Sequence, residues 1–443
     1  MRQKTMLLGI LGFFLACSPA KQPDDDASAS ASPSGSSSAP ATSASSEPSS
    51  SASASSSGQP STSPPAAADE LSRATRFAVK AYRAAAAAEP GKSLMLSPVS
   101  LRLALGMVYV GSTGETKKEM ATALELDADT DNVVKAATDE MTAWKNTNKK
   151  GVAVGVANRL WGDKSTTFDA NFLSRNKAGW GAGLEQVDFK GAAESARTKI
   201  NGWVKTETKD RIPELMPKGS LTGDTRLVVT NAVVFDGQWT KPFDEKATAK
   251  LPFFVGGKTP VEVPTMKQHL KAPYADVGDA QLVQLFYGDG DAAMLIVLPK
   301  TNDGLAKLES QLTAETLASW SKAVRETSFS TLDLTLPKFE LAWGGSVTPL
   351  LGKLGMKRAF ANDAEFGGIA SGQLSISDVV HKTFIKVYEK GTEAAAATGV
   401  AVTVTSVEMP KTVTIDHPFL YVIREVKTER VLFIGRVTDP RSP

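Results

Sequence analysis

The chain has one cysteine, Cys17, and three histidines, His269, His381 and His417, among 443 residues. A single thiol excludes an intramolecular disulfide, a zinc site held by several thiolates, an iron–sulfur cluster and CxxC redox chemistry. No two histidines stand three or four apart, which excludes a helix-borne zinc site. No metal and no cofactor are expected. Neither sign of charge dominates: 50 Lys and Arg stand against 48 Asp and Glu, a formal +2. No excess favours nucleic acid or anionic headgroups. The GxSxG elbow, HExxH, GxGxxG and the EF-hand loop are all missing. Gly257-Lys258-Thr259 fails as a phosphate-binding loop because position 252 is proline. A Ser–His–Asp triad assembles across distance and leaves no local motif, but no histidine here sits in a triad context. The chain is not expected to be an enzyme.

What is present begins with an address. Arg2 and Lys4 precede an apolar run over residues 6–16. Eleven residues are too few to span a bilayer and match the core of a secretory signal. The run ends Phe14-Leu15-Ala16-Cys17, which resembles a bacterial lipobox, although Phe14 replaces the usual Leu. On that resemblance residues 1–16 are a signal peptide and Cys17 becomes the lipidated first residue. Ser18 in place of Asp points to the outer membrane or cell surface, or to the extracellular space if the anchor is unused. Residues 17–68 then form a tether. Of the 51 residues from 18 to 68, 42 are Ser, Ala, Pro or Gly. Without large apolar residues such a segment cannot offset its chain entropy, and it spans roughly 40 Å as a coil.

Residues 69–443 read as one globular body with 42% hydrophobic residues in the whole chain to build a core. Asp69 is a plausible N-cap for a helix to about Ala88, and Ser97-Pro98 opens a second, with Leu101, Leu105 and Val108 on one face. Further helices are expected near 117–124, 131–144, 171–178 and 193–208. Strands are expected at 227–235, 281–286, 292–298, 332–336, 384–388, 419–424 and 431–437. Helices first and strands later, without βαβ alternation, argue an α+β body with antiparallel or mixed sheets.

One segment, residues 388–410, is unusual. Thr392, Ala394, Ala396, Thr398, Val400, Val402 and Val404 alternate with smaller or polar residues, a period-two pattern with one face for a core. No proline interrupts it between Glu389 and Met409, so every residue is able to donate to a central ladder. Its start is Gly391 and then small residues, which is hinge chemistry. A short helix over 393–397 is the competing reading, opposed by the Val/Thr run that follows. A central strand hinged by glycine and alanine suggests a loop that changes state.

The body resembles the serpins over nearly all of residues 69–443. Leu96-Ser97-Pro98-Val99-Ser100-Leu101 is similar to the family's FSPxS motif. Thr230-Asn231-Ala232-Val233-Val234-Phe235-Asp236-Gly237-Gln238-Trp239 is similar to its NAxxFxGxW segment. Leu336-Pro337-Lys338-Phe339, Leu354-Gly355-Met356, His417-Pro418-Phe419 and Phe433-Ile434-Gly435-Arg436-Val437 match further signatures in the right order. The resemblance implies helices on a large central mixed or antiparallel sheet, two further sheets and an exposed reactive-centre loop. The hinge would be Glu389, Lys390, Gly391, Thr392, Glu393, Ala394, Ala395, Ala396, Ala397 and Thr398. Ser97, Ser100, Asn231 and His381 would form a buried polar cluster that re-pairs when the sheet opens, and Trp239 would sit near the insertion point.

The implied activity is suicide inhibition. A serine protease, or a cysteine protease in its place, would cut the loop and be trapped as an acyl-enzyme while the loop inserts as a new strand. The three inward valines would contribute at most roughly 5–9 kcal/mol on burial. The scissile bond is expected at Thr405–Ser406, with Val404 and Val407 as nearby alternatives. No basic residue lies between Lys390 and Lys411, so the loop favours an elastase-like or subtilisin-like protease over a trypsin-like one. The other reading is a non-inhibitory serpin-fold protein that binds a partner at the surface. The partners expected are a covalently held protease and a membrane lipid, with no nucleic acid, and the chain is expected to be a monomer.

Overall fold

The computed structural model describes residues 65–147, 151–181, 183–392 and 409–442. Cys17, the signal segment and the tether up to residue 64 lie outside them. So do Glu393, Ala394, Ala395, Ala396, Ala397, Thr398, Val404, Thr405, Ser406 and Val407. The helices are α1 (Pro65–Ala88), α2 (Pro98–Tyr109), α3 (Gly114–Leu124), α4 (Thr130–Thr147), α5 (Ala170–Trp180), α6 (Phe189–Glu207), α7 (Leu305–Gln311), α8 (Ala314–Glu326) and α9 (Thr348–Lys353). The strands are β1 (Leu94–Leu96), β2 (Val152–Asp163), β3 (Leu184–Val187), β4 (Leu227–Gln238), β5 (Ala249–Val255), β6 (Thr259–Val277), β7 (Ala280–Tyr287) and β8 (Ala292–Pro299). They continue as β9 (Phe329–Pro337), β10 (Phe339–Ser346), β11 (Asp378–Tyr388), β12 (Gly391–Thr392), β13 (Lys411–Thr414), β14 (Phe419–Glu425) and β15 (Val431–Val437).

The main sheet runs β10-β11-β12-β4-β2-β3 and is mixed: β11 lies parallel to β4 and β2 parallel to β3, while β10 runs antiparallel to β11 and β2 antiparallel to β4. The two further sheets share one strand. Residues 265–273 of β6 pair with β9 and residues 274–277 pair with β7, which joins both into a nine-stranded assembly.

The β-branched run in β4 is buried from Leu227 to Phe235 because helices cover both faces. Leu227, Val229, Val233 and Phe235 face the main core, which includes α2. Val228, Ala232 and Val234 face a second cluster with Phe189, Ile200 and Val204 of α6. Helix α2 is sandwiched so fully that all twelve of its residues are buried, not only the expected stripe of Leu101, Leu105 and Val108.

Other expectations shift. The first helix starts at Pro65, so residues 65–68 belong to it and not to the tether, and Asp69 pairs with Arg73 inside it instead of capping it. Proline is tolerated at a helix start and the three alanines after it are the strongest helix formers. Helix α6 starts at Phe189, with Asp188 as its cap, and a non-helical Ala192 kinks it just before the expected start at 193. Strands β2, β5, β6 and β10 and helices α7 to α9 were not legible from periodicity. Gly155 and Asn158 interrupt β2, two glycines end β10, and α9 has only six residues. Among the described residues no helix is long and apolar enough to cross a membrane.

The C-terminal Phe433–Val437 motif needs its glycine for space. A Cβ on Gly435 would stand 2.5 Å from the Leu94 carbonyl and 2.7 Å from the Tyr421 ring. Gly435→Ala is expected to lower stability by about 1–3 kcal/mol through overpacking. Gly352→Ala in α9, where a Cβ meets nothing within 4 Å, should be neutral or stabilising by up to about 1 kcal/mol. Urea unfolding of the two variants checks the contrast.

Candidate functional site

Strand β11 ends at Tyr388, turns through Glu389 and Lys390, and comes back as Gly391 and Thr392. These two residues pair with Tyr388 and Val387 of β11 on one side and with Gln238 and Gly237 of β4 on the other. Below this point β11 and β4 pair directly over seven positions, from Asp378 opposite Val228 to Phe384 opposite Val234. The main sheet is therefore closed along most of the seam and held open at one end by a two-residue wedge.

Every part of the wedge is bonded. Gly391 has φ +146°, and a Cβ there would stand 2.1 Å from the Gly237 carbonyl, so only glycine fits. The Thr392 hydroxyl is buried 2.9 Å from that of Tyr287, whose ring stacks on Trp239 at 4.3 Å. Trp239 donates its indole N–H to the Tyr388 carbonyl at 3.0 Å and its backbone N–H to the Lys390 carbonyl at 3.0 Å. The Phe243 N–H donates to the Glu389 carbonyl at 2.8 Å. The Glu389 carboxylate takes Lys338 Nζ at 2.9 Å and the Thr248 hydroxyl at 2.7 Å. Burial alone would raise the Glu389 pKa, but the bonds from Lys338 and Thr248 outweigh it and hold the carboxyl below its ordinary value.

Lower down the seam lies a second group. His381 and Asn231 face each other across the β11–β4 pair, and the imidazole Nδ1 is hydrogen-bonded to Asn231 Oδ1. His381 Nε2 accepts the Ser97 N–H at the start of α2, at 3.3 Å. That leaves Nδ1 as the protonated nitrogen of a neutral ring. Asn231 Nδ2 donates to the Ser100 hydroxyl at 2.6 Å and also to Asn158 Oδ1. Full burial pushes the imidazole down to about 3, so the ring is neutral at ordinary pH.

Ser97, Ser100, Asn231 and His381 thus come together, while Trp239 sits apart, with Glu389, Lys390, Gly391 and Thr392 around it. The rest of the expected hinge and the Thr405–Ser406 bond lie outside the described residues. Ser97 does not bond the imidazole through its hydroxyl, which donates to the Leu432 carbonyl at 2.8 Å. His269 and His417 bond Asp333 and Asp416, and neither ring holds a serine hydroxyl among the described residues. The described residues also contain no group of His, Cys, Asp and Glu arranged for a metal.

Three contributors escaped sequence reasoning. Asn158 lies opposite Asn231 in the β2–β4 register, and its only signal was a polar residue in an alternating run. Tyr287 reads as an ordinary core aromatic. Lys338 lay inside a matched motif, but its partner Glu389 is 51 residues away.

A family model described as Serpin (serine protease inhibitor) matches residues 72–440. The leukocyte elastase inhibitor of Equus caballus is 35% identical over 383 residues, spanning 84% of this chain and 100% of that protein. The one of Homo sapiens is 34% identical with the same coverage. Among solved structures, Serpin48 of the insect Tenebrio molitor superposes with a TM-score of 0.72 at 30% identity, over 84% of this chain and 98% of that one.

The His381 shift has a sign. Its folded value of about 3 lies below the ordinary 6.5, so the unfolded chain takes up the proton first as pH falls. The stability this ring contributes is fully present above pH 6.5 and is lost as pH falls towards 3. A His381→Gln variant is expected to show a shallower loss of stability across that window than the parent, read by urea unfolding at several pH values.

Proposed function

The chain belongs to the serpin family, and from that premise we propose that it inhibits serine proteases as a suicide substrate. The protease cuts the segment after Thr392 and forms an acyl-enzyme, the ester of its serine with the loop's new carboxyl end. The cut loop then enters between β11 and β4, and the attached protease is carried along before water releases it. The observation that carries this reading is the wedge itself. Gly391 and Thr392 are already paired on both sides, so insertion extends an existing strand and does not nucleate a new one.

The residue types of the loop support it. Thr392 is buried, as the alternation requires of the inward set, and the next inward residues are Ala394, Ala396, Thr398, Val400, Val402 and Val404. None is charged or larger than valine, so none resists burial in a sheet. Insertion must separate the seven β11–β4 pairs and the His381–Asn231 bond. A new strand in that gap offers each side a fresh ladder, and the loss is made good as the loop zips in. The polar cluster beneath acts as a latch: its members re-pair through Ser97, Ser100 and Asn158 while the gap is open.

For the target we propose an elastase-like or subtilisin-like protease and a scissile bond at Thr405–Ser406. The stretch offers small and β-branched residues and no basic anchor, and similar proteins carry the name leukocyte elastase inhibitor. We further propose a surface location, with Cys17 lipidated and residues 18–64 as a tether, on the strength of the apolar run and the Ser/Ala/Pro composition alone.

The test mixes the protein with pancreatic elastase, subtilisin and trypsin. A complex stable on a denaturing gel, together with a released peptide that starts at Ser406, is the expected result with elastase or subtilisin. Cleavage with no complex and no gain in thermal stability would reject the inhibitor in favour of a binding protein on the same fold. Thr398→Arg puts a guanidinium on the inward set, where insertion must bury it unpaired, a cost of several kcal/mol. This variant is expected to be cut at the same bond and to lose at least roughly tenfold in complex yield, since 1.4 kcal/mol is already a factor of ten.

A further inference from the structure

Beside Trp239 lies a cavity of about 110 Å3 that the insertion reading does not use. Its walls are Trp239, Phe243, Leu270, Leu285, Phe286 and Phe329. Lys241 and Lys271 also line it, both are exposed, and no carboxylate does. Neither lysine has an acidic partner among the described residues. Phe329 is 53% exposed, and it is one of only two large apolar side chains among the described residues left open to solvent. One face of its ring stacks on Phe286 at 6.1 Å. An exposed aromatic at the mouth of an apolar cavity is the kind of surface that marks a binding site.

Size and charge define the occupant. Apolar cavities of about 150 Å3 take benzene, so this one, of about 110 Å3 and open at its Phe329 mouth, has room for no more than a single ring. Two unpartnered ammonium groups beside an apolar pocket favour a negative head on that ring. We propose that the cavity binds a small amphipathic anion, one aromatic ring on a short arm ending in a carboxylate or sulfonate. The ring lies among Phe243, Leu285, Phe286 and Phe329, and the acid group reaches Lys241 and Lys271. Trp239 and Phe243 also hold the turn at Glu389 and Lys390 through their backbone N–H groups. An occupied cavity therefore braces the elements that carry the wedge, and binding stabilises the folded chain by mass action.

The test uses the full chain and three probes of one shape: 3-phenylpropionate, 3-phenylpropan-1-ol and 3-phenylpropylammonium. Saturation-transfer NMR and calorimetric titration read the affinities, and the thermal midpoint reads stabilisation. The acid is expected to bind at least about tenfold more tightly than the alcohol, a difference of 1.4 kcal/mol, with the ammonium weakest. The double substitution Lys241→Glu, Lys271→Glu changes only exposed side chains and should invert the order of acid and ammonium. Phe329→Ser should weaken all three. Equal affinity for acid and ammonium would overturn the proposal, as would an unchanged order in the double variant or no binding of any probe. Binding that appears only after the loop is cut would also overturn it, because the chain's own loop would then be the occupant. The covalent-complex assay runs in parallel and depends on the loop, so failure of either reading is distinguishable from failure of the other.

Discussion

The parallel pairing of β4 with β11 is the contact on which the rest of the structure depends. β4 is buried on both faces along the pairing and β11 is buried on one and partly covered on the other, so their separation exposes apolar surface and seven pairs of backbone positions at once. The pairing is held at its centre by His381 and Asn231. Burial in that position would be costly for a charged ring and is acceptable for a neutral one with both nitrogens bonded. Neutrality of His381 is thus a structural requirement: protonation would leave a buried imidazolium with the Ser97 N–H pointing at it.

The wedge at the end of this seam is fixed by a few specific groups. Gly391 brings the turning backbone against Gly237 at a distance no side chain permits. Glu389 is fixed by Lys338 from the loop between β9 and β10, and Trp239 clasps the turn from β4 through two hydrogen bonds. The turn is therefore anchored from both sides of the seam, from the end of β4 and from the residue that leads into β10, the partner of β11. A strand that enters after Thr392 starts from a fixed position and register, and the side chains of alternate residues then follow into the core by the period-two rule.

The main sheet also keeps the two cores separate. Alternate residues of β4 serve the large cluster around α2 and the smaller one under α6. Separating its strands would therefore disturb both clusters, and the polar group of Ser97, Ser100, Asn231 and His381 sits between them at the foot of α2. The latch includes Asn158 of β2, so three neighbouring strands and one helix N-terminus share it.

Much of this was legible in the residues themselves. Hydrophobic period marked β4, β8, β14 and β15 as strands, and the Ser97-Pro98 pair marked the start of α2. The alternation after Gly391 named Thr392 as inward, and it is buried. Local chemistry is enough for such features because propensity and period act over neighbours in sequence. What it did not reveal depends on partners far away in the chain. Asn158 becomes part of the latch only because the β2 register brings it opposite Asn231. Lys338 acquires a role only when Glu389 folds back onto it. The sequence alone determined which segments are able to be strands, helices or a hinge. Only the tertiary structure decided that β4 and β11 meet in parallel, that His381 is neutral, and that Gly391 and Thr392 already hold the seam open, since each follows from contacts between residues that the chain separates by a hundred positions or more.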